Sequence, residues 1–234
     1  DIHWYTIARH TEILTSLITA LDLKHITVLC QDWGGPTGLA QAVYMPDRFD
    51  RLIIMNTWLH HPSYVYSEAI TNWNGNWHEG GLFHRERPDI GLLLVLDDGL
   101  ASRDPVFVAI VEGKDPNLKG KAQDLYHAFS APYRGQSDDA FNGFRRFPLS
   151  IPLDSYDNGN AAAQTHHYET LLQWSKHVHF IWGCKDAVFN EAWGRAWADR
   201  MHATFDPIAD AGHFLQNSHG PAVVEHILRR IEEA

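Results

Sequence analysis

Residues 26–35 read Ile26-Thr27-Val28-Leu29-Cys30-Gln31-Asp32-Trp33-Gly34-Gly35. An apolar run is followed by one acidic side chain and then by two glycines. A sharp turn between a strand and a helix needs small neighbours and exposes the side chain at its tip, so this stretch predicts that Asp32 is a nucleophile. A carboxylate is ionised at neutral pH, since the reference pKa of Asp is about 3.9. It can displace a leaving group from a saturated carbon, and carbon–halogen bonds and epoxides are the natural targets.

Strand and helix patterns alternate along the rest of the chain. Apolar runs predict strands over residues 52–56, 178–182 and, more weakly, 204–208. Amphipathic or helix-forming patterns lie between them, over residues 5–21, 38–44, 191–201 and 221–231. This alternation predicts an α/β fold with a mostly parallel sheet covered by helices.

The interval from residue 59 to residue 147 interrupts the alternation. Pro, Gly, Asn and charged residues divide it into short helical pieces, over residues 91–96, 106–111 and 122–129. The interval is too aromatic and apolar to be a disordered linker. We therefore expect residues 59–147 to form a helical cap, and residues 1–58 and 148–234 to form the core of the protein.

Composition narrows the choice of partner and compartment. The net charge is −10 and the sequence has no Lys/Arg-rich tract, so neither nucleic acid nor a membrane surface is an expected partner. No apolar run approaches the roughly 18–20 residues of a membrane-spanning helix. The chain contains two cysteines, Cys30 and Cys184, which is too few for a disulfide framework and predicts a reducing, cytoplasmic location.

Reactive side chains follow three of the predicted strands. Asp32 ends the first, Asp186 follows the strand at 178–182, and His213 follows the strand at 204–208. Reactive groups collect at the carboxyl ends of parallel strands, and the order nucleophile, acid, histidine is that of an α/β-hydrolase triad. His213 must be neutral to accept a proton from water, so we expect hydrolysis to fall as the pH drops through roughly 6.5.

The remaining close histidine pairs do not predict a metal site. These pairs are His60 with His61, His166 with His167, and His177 with His179. None has the His-Glu-x-x-His spacing of a helical zinc site, and no metal is expected.

Several segments together resemble the haloalkane dehalogenases, across essentially the whole chain. They are Gln31-Asp32-Trp33-Gly34-Gly35, Arg51-Leu52-Ile53-Ile54-Met55-Asn56, Phe144-Arg145-Arg146-Phe147-Pro148, Gly183-Cys184-Lys185-Asp186 and Ile208-Ala209-Asp210-Ala211-Gly212-His213-Phe214. The resemblance implies the α/β-hydrolase fold with a helical cap, and hydrolytic dehalogenation through an alkyl ester of the nucleophile. The implied partners are a small halogenated substrate and water, without a cofactor.

The resemblance also implies a role for each site residue. Asp32 attacks the halogenated carbon, and His213 activates the water that hydrolyses the ester. Asp186 orients His213 and stabilises its imidazolium. Trp33 donates its indole N–H to the departing halide, a role that suits a group with a donor and no acceptor.

Two departures from the family pattern lead to further expectations. The His-Gly-x-Pro segment that the family carries upstream of the nucleophile does not occur, so we expect a core without its N-terminal strands. Some members hold the halide with a second tryptophan from the cap, but Asp115-Pro116-Asn117-Leu118 stands at that place. Trp73 and Trp77 are the candidates to replace it.

Two other readings stay open. An epoxide hydrolase uses the same triad with hydroxyl donors from the lid, usually two tyrosines, and the candidates are Tyr64, Tyr66, Tyr126 and Tyr133. Gln31 and the segment at residues 211–216 favour the dehalogenase. A non-catalytic protein on a hydrolase frame is the second alternative, although all three triad candidates are present. Carbonyl-directed esterases are disfavoured because the sequence has no Gly-x-Ser-x-Gly.

Overall fold

A computed structural model describes residues 1–81, 118–153 and 159–233 of the chain. Its centre is a sheet of four strands in the order β1-β2-β3-β4, and each neighbouring pair is parallel. The strands are β1 (Ile26–Asp32), β2 (Phe49–Thr57), β3 (His177–Gly183) and β4 (Thr204–Ile208). In this sheet β1 and β4 are the edge strands.

Helices connect and cover these strands. They are α1 (Ile7–Ala20), α2 (Ala40–Tyr44), α3 (Glu68–Trp77), α4 (Lys121–Ser130), α5 (Asn142–Leu149), α6 (Ala161–Leu171), α7 (Glu191–Arg200), α8 (Leu215–Ser218) and α9 (Gly220–Glu232). A π-helical turn, Gly35–Leu39, precedes α2, and short 3-10 turns occupy Ile2–Trp4, Pro46–Arg48, Ala131–Tyr133 and Asp138–Phe141.

The central strands are apolar on both faces because helices pack on both. On one face Leu52, Ile54 and Phe180 join the larger core cluster. On the other, Ile53 and Ile181 join a smaller cluster together with residues of α9. Continuous apolar runs are what a buried parallel strand requires, so the predicted α/β fold with a parallel sheet is confirmed.

The parallel arrangement brings the carboxyl ends of all four strands to one edge of the sheet. The residues that follow Asp32, Thr57, Gly183 and Ile208 therefore lie close together, which is where ligands bind in open α/β sheets. Hydrogen bonds tie these turns to one another: the N–H of Cys184 donates to the carbonyl of Ile208 at 3.1 Å.

The structure has helices at the positions predicted over residues 5–21, 122–129, 191–201 and 221–231. The helix expected over residues 38–44 begins earlier, because the π-helical turn already starts at Gly35, the second elbow glycine. The expected helical pieces at residues 91–96 and 106–111 lie outside the described residues. The division into a core and a cap at residues 59–147 stays a prediction. No helix in the described residues is long and apolar enough to cross a membrane.

Candidate active site

Asp32 ends β1 in the left-handed region of backbone conformation, with a φ of 51°. A non-glycine residue adopts this conformation when the surrounding structure imposes it, and a nucleophile at a strand-to-helix turn is typical. The turn is tight, since a Cβ atom on Gly35 would lie 2.1 Å from Oγ1 of Thr57 and 2.9 Å from the carbonyl oxygen of Trp58. Thr57 also donates its hydroxyl to the carbonyl of Asp32. The backbone therefore has the elbow geometry that the glycines predict.

His213 lies between two carboxylates. Its Nε2 atom is 3.2 Å from Oδ1 of Asp32, and its Nδ1 atom is 2.9 Å from Oδ2 of Asp186. The His213 side chain is 12% exposed and that of Asp32 is 31% exposed, whereas the carboxyl of Asp186 is fully buried. The structure thus brings the three residues together in the predicted order. Asp32, the most exposed of the three side chains, is the one that a substrate can reach.

Asp186 is held by hydrogen bonds to both of its carboxylate oxygens. Oδ1 accepts the backbone N–H groups of Val188 at 2.7 Å and Phe189 at 3.1 Å. Oδ2 accepts from the side-chain amide of Asn56 at 2.9 Å, in addition to its contact with His213. These donors compensate the buried carboxylate for the loss of water and fix its direction, so that it can orient the imidazole.

Asn56 is the functional residue that sequence reasoning missed. It is the residue before the last of β2 and has no exposed surface, and its side chain joins β2 to β3. The amide donates to the carbonyl of Gly183 at 3.0 Å and accepts the N–H of Gly183 at 2.7 Å. The same amide donates to Asp186, as described above. A polar residue at the carboxyl end of a buried strand was the available signal.

The charge of the site raises the pKa of His213. Burial by itself would lower that pKa, but Asp186 and Asp32 both favour the imidazolium and together hold the pKa well above its usual range. The value of roughly 6.5 expected from sequence is therefore too low for the resting site. If Asp32 became an uncharged ester, one of the two carboxylates would be lost and the imidazole would release its proton more easily.

Trp33 lies beside the elbow, in an aromatic wall. Its ring centroid is 4.7 Å from that of Trp58 and 5.2 Å from that of Phe147, and both contacts are edge-to-face. The backbone carbonyl of Trp33 accepts a hydrogen bond from the hydroxyl of Thr37. The indole N–H has no acceptor among the described residues. A donor in an apolar wall next to a carboxylate suits an anion that forms there.

Trp73 and Trp77 pack beside each other, with ring centroids 5.3 Å apart. Trp77 is 2% exposed and also contacts Phe144 on α5 at 5.2 Å. Within the described chain the ring contacts of Trp33 do not include either residue. Their contact with a halide stays a prediction.

Two of the four candidate tyrosines form a cluster. Tyr64 and Tyr66 are 4.8 Å apart between ring centroids, and Tyr64 packs on Trp193 at 4.4 Å. The hydroxyl of Tyr66 lies 2.9 Å from Nδ1 of His60. Burial, with the nearby Tyr66 and Asp186, raises the pKa of Tyr64 above its usual range. Tyr64, which lies near Asp186, therefore keeps its hydroxyl proton.

The two other candidate tyrosines have different neighbours. Tyr133 packs against Phe141 with ring centroids 4.9 Å apart, and Tyr126 lies 5.6 Å from the ring of His127. Burial raises the pKa of Tyr133. These contacts do not pair either hydroxyl with Tyr64 or Tyr66.

Within the described ranges, no three His, Cys, Asp or Glu side chains are grouped closely enough to hold a metal ion. Cys30 and Cys184 are both free thiols. His177 and His179 share a face of β3, with their rings stacked 6.3 Å apart, and Nδ1 of His179 lies 2.8 Å from the hydroxyl of Thr204.

Known proteins similar to this chain include a haloalkane dehalogenase from Psychrobacter cryohalolentis, which is 27% identical over 98% of this chain and 68% of that protein. A cis-3-alkyl-4-alkyloxetan-2-one decarboxylase from Shewanella oneidensis is 25% identical over 95% of this chain and 65% of that protein. The tetrameric structure of the haloalkane dehalogenase DpaA from Paraglaciecola agarilytica superimposes with a TM-score of 0.76 at 28% identity, covering 97% of this chain and 67% of that one.

No protein-family model matches the chain. The chain spans about two thirds of the length of the curated relatives it matches. The chain is similar to haloalkane dehalogenases and has the α/β-hydrolase fold, as the resemblance of its motifs implied.

Proposed function

We propose that this chain hydrolyses haloalkanes to an alcohol and a halide through a covalent ester on Asp32. The observation that carries the proposal is the carboxylate at the elbow, 3.2 Å from a histidine that is itself 2.9 Å from a buried second carboxylate. An ionised carboxylate attacks saturated carbon, whereas the serine of an esterase attacks carbonyl carbon. The homology to haloalkane dehalogenases supports the carbon–halogen bond as the target.

In the first step an oxygen of Asp32 forms a bond to the halogenated carbon. The carbon–halogen bond breaks and its electron pair leaves with the halide. Negative charge moves from the carboxylate to the leaving group, and the indole N–H of Trp33 donates to that charge in an apolar wall. Binding in this wall replaces the water that would otherwise solvate the halide.

In the second step water hydrolyses the ester. Nε2 of His213 accepts a proton from water, and the water oxygen attacks the ester carbonyl carbon of Asp32. The alcohol departs with the proton that His213 had accepted, the second proton of the water is released to solvent, and the Asp32 carboxylate is restored. Asp186 stabilises the imidazolium across a 2.9 Å contact. Substrate and water are the only reactants in this scheme.

The compartment proposed for this reaction is the reducing cytoplasm. The free thiols of Cys30 and Cys184 support this assignment.

Halide release from the full chain tests the function. A panel of bromo- and chloroalkanes is incubated with the chain and with Asp32→Asn, beside a styrene-type epoxide and a dialkyl oxetan-2-one. We expect bromide release that Asp32→Asn abolishes. Diol formation without halide release would instead establish an epoxide hydrolase and direct attention to Tyr64 and Tyr66. Turnover of the oxetanone alone would establish the chemistry of the decarboxylase relative, and no turnover of any substrate would support a non-catalytic protein.

A further inference from the structure

Gln31, the residue before the nucleophile, contacts the histidine of the site at two atoms. Its side-chain nitrogen lies 3.1 Å from the backbone carbonyl oxygen of His213 and 3.2 Å from Nε2 of the same residue. The scheme proposed above does not use this side chain. One of its two contacts is with Nε2, the ring nitrogen that must take a proton from water.

The contact with the carbonyl determines which end of the amide faces His213. A carbonyl oxygen only accepts hydrogen bonds, and the amide nitrogen of Gln31 carries two N–H donors and no acceptor. One N–H therefore binds the carbonyl of His213, and the second is free to bind Nε2. Nε2 can accept this bond only when it is unprotonated. The ring proton then lies on Nδ1, where Asp186 Oδ2 is 2.9 Å away.

Asp32 and Gln31 favour opposite protonation states of Nε2. The carboxylate of Asp32 is 3.2 Å from Nε2 and favours a protonated ring, whereas the amide favours a lone pair at that atom. Asp32 and Asp186 are the charged groups that face His213 in the described chain, and both favour the imidazolium. Ester formation removes the charge of Asp32, whereas the two groups that Gln31 contacts, the carbonyl and Nε2 of His213, take no part in the attack that forms the ester.

We propose that Gln31 is a positioning residue that selects neutral His213, with its proton on Nδ1, at the ester stage. This inference rests on the proposed function, because it assigns Gln31 to the hydrolytic step of that reaction. The bond from the amide to Nε2 is long, so a water molecule can displace it while the carbonyl of His213 still holds the amide. The lone pair is then directed at the water that attacks Asp32.

NMR of the ring nitrogens of His213 tests this role without any turnover of substrate. Asp32→Ala removes the competing carboxylate without adding a donor, and ¹⁵N NMR then follows the tautomer and titration of His213 against pH. We expect the Nδ1–H tautomer in Asp32→Ala. Adding Gln31→Met should raise the pKa of His213 by about half to one unit, because one N–H bond to the neutral ring is lost. Adding Gln31→Glu should raise it further, since a carboxylate accepts from the imidazolium.

Gln216→Met is the matched control, because Gln216 is exposed and three positions from His213; it should leave the titration unchanged. The inference is overturned if Gln31→Met moves the pKa of His213 by less than about 0.2 units, or if Asp32→Ala has the Nε2–H tautomer. With Asp32 present, Gln31→Met should slow ester hydrolysis more at pH 6 than at pH 9, with alkylation of Asp32 little changed. A purely structural role would slow both steps at every pH. Absence of dehalogenation would refute the proposed function and leave the NMR result to stand separately.

Discussion

Replacement of Asn56 by alanine should destabilise the protein far more than the loss of one polar side chain normally does. Asn56 has no exposed surface, and it makes three good hydrogen bonds between β2 and the turn after β3. Truncation leaves the N–H of Gly183 buried without a partner and removes one donor from the carboxylate of Asp186. A buried group left unsatisfied costs about 1–3 kcal/mol, and more when its partner is charged.

These losses add to about 3–5 kcal/mol. That is a large fraction of the roughly 5–15 kcal/mol that stabilises a typical domain. Asn74→Ala is a matched control, because Asn74 is also buried but makes fewer bonds. It donates to one backbone carbonyl, that of Pro148, at 2.8 Å, and its side-chain oxygen bonds to the exposed His78. We expect it to cost about 1–2 kcal/mol.

Urea unfolding, followed by tryptophan fluorescence and far-UV circular dichroism, gives the free energy of unfolding of the three proteins. The account requires Asn56→Ala to be less stable than Asn74→Ala by at least about 1 kcal/mol. Equal losses in the two variants would mean that the contacts of Asn56 with Gly183 and Asp186 contribute no more than an ordinary buried amide, and the argument from those contacts would be wrong.

Three further predictions follow from the site and its backbone. The pKa of His213 is raised in the folded protein, so the stabilisation from the protonated ring is complete below the unfolded pKa of about 6.5 and is lost as the pH rises through the folded pKa. Urea titrations should therefore show that the free energy of unfolding, relative to that of His213→Asn, falls from pH 6 towards alkaline pH. Gly35→Ala should prevent correct folding or destabilise the protein by at least about 2 kcal/mol in thermal unfolding. Gly75→Ala is the control: Gly75 lies in a helix and an added Cβ would meet nothing within 4 Å, so this change should be neutral or stabilise the protein by up to about 1 kcal/mol. Trp33→Phe should lower bromide release by about 100- to 1,000-fold, and the surface change Trp4→Phe should leave it unchanged.

The strands and the triad could be predicted because local sequence carries their signal. A buried parallel strand needs a continuous apolar run, and β2 and β3 both have one. Asp32 ends β1, and Asp186 and His213 lie in the turns that follow β3 and β4, so the parallel order alone brings the three residues to one edge. The distances between them then follow from the fold.

Helix α6 could not be predicted from periodicity, because its buried face is partly polar. Gln164 and His167 are buried there beside Tyr168 and Leu171. Gln164 accepts the N–H of His60 at 2.9 Å and donates to the carbonyl of Gly159, so it is satisfied without water. A hydrophobic pattern cannot indicate a face that is stabilised by hydrogen bonds rather than by apolar contacts.

The supporting contacts of the site were also inaccessible to sequence reasoning. Asn56 bonds to residues 127 and 130 positions away, and Gln31 bonds to one 182 positions away. Local patterns carry no information on such pairs. The resemblance to a family includes both residues in its motifs, but it assigns neither of them a partner.

Trapping the ester tests directly whether Asp32 is the nucleophile. His213→Asn, which lacks the base, is incubated with 1-bromobutane, and the intact protein and its peptides are examined by mass spectrometry. We expect a gain of one butyl group on the peptide that contains Asp32, with one equivalent of bromide released per chain. Neither should occur in His213→Asn combined with Asp32→Asn. A variant that remains unmodified, or one alkylated at a residue other than Asp32, would contradict the assignment of Asp32 as the nucleophile.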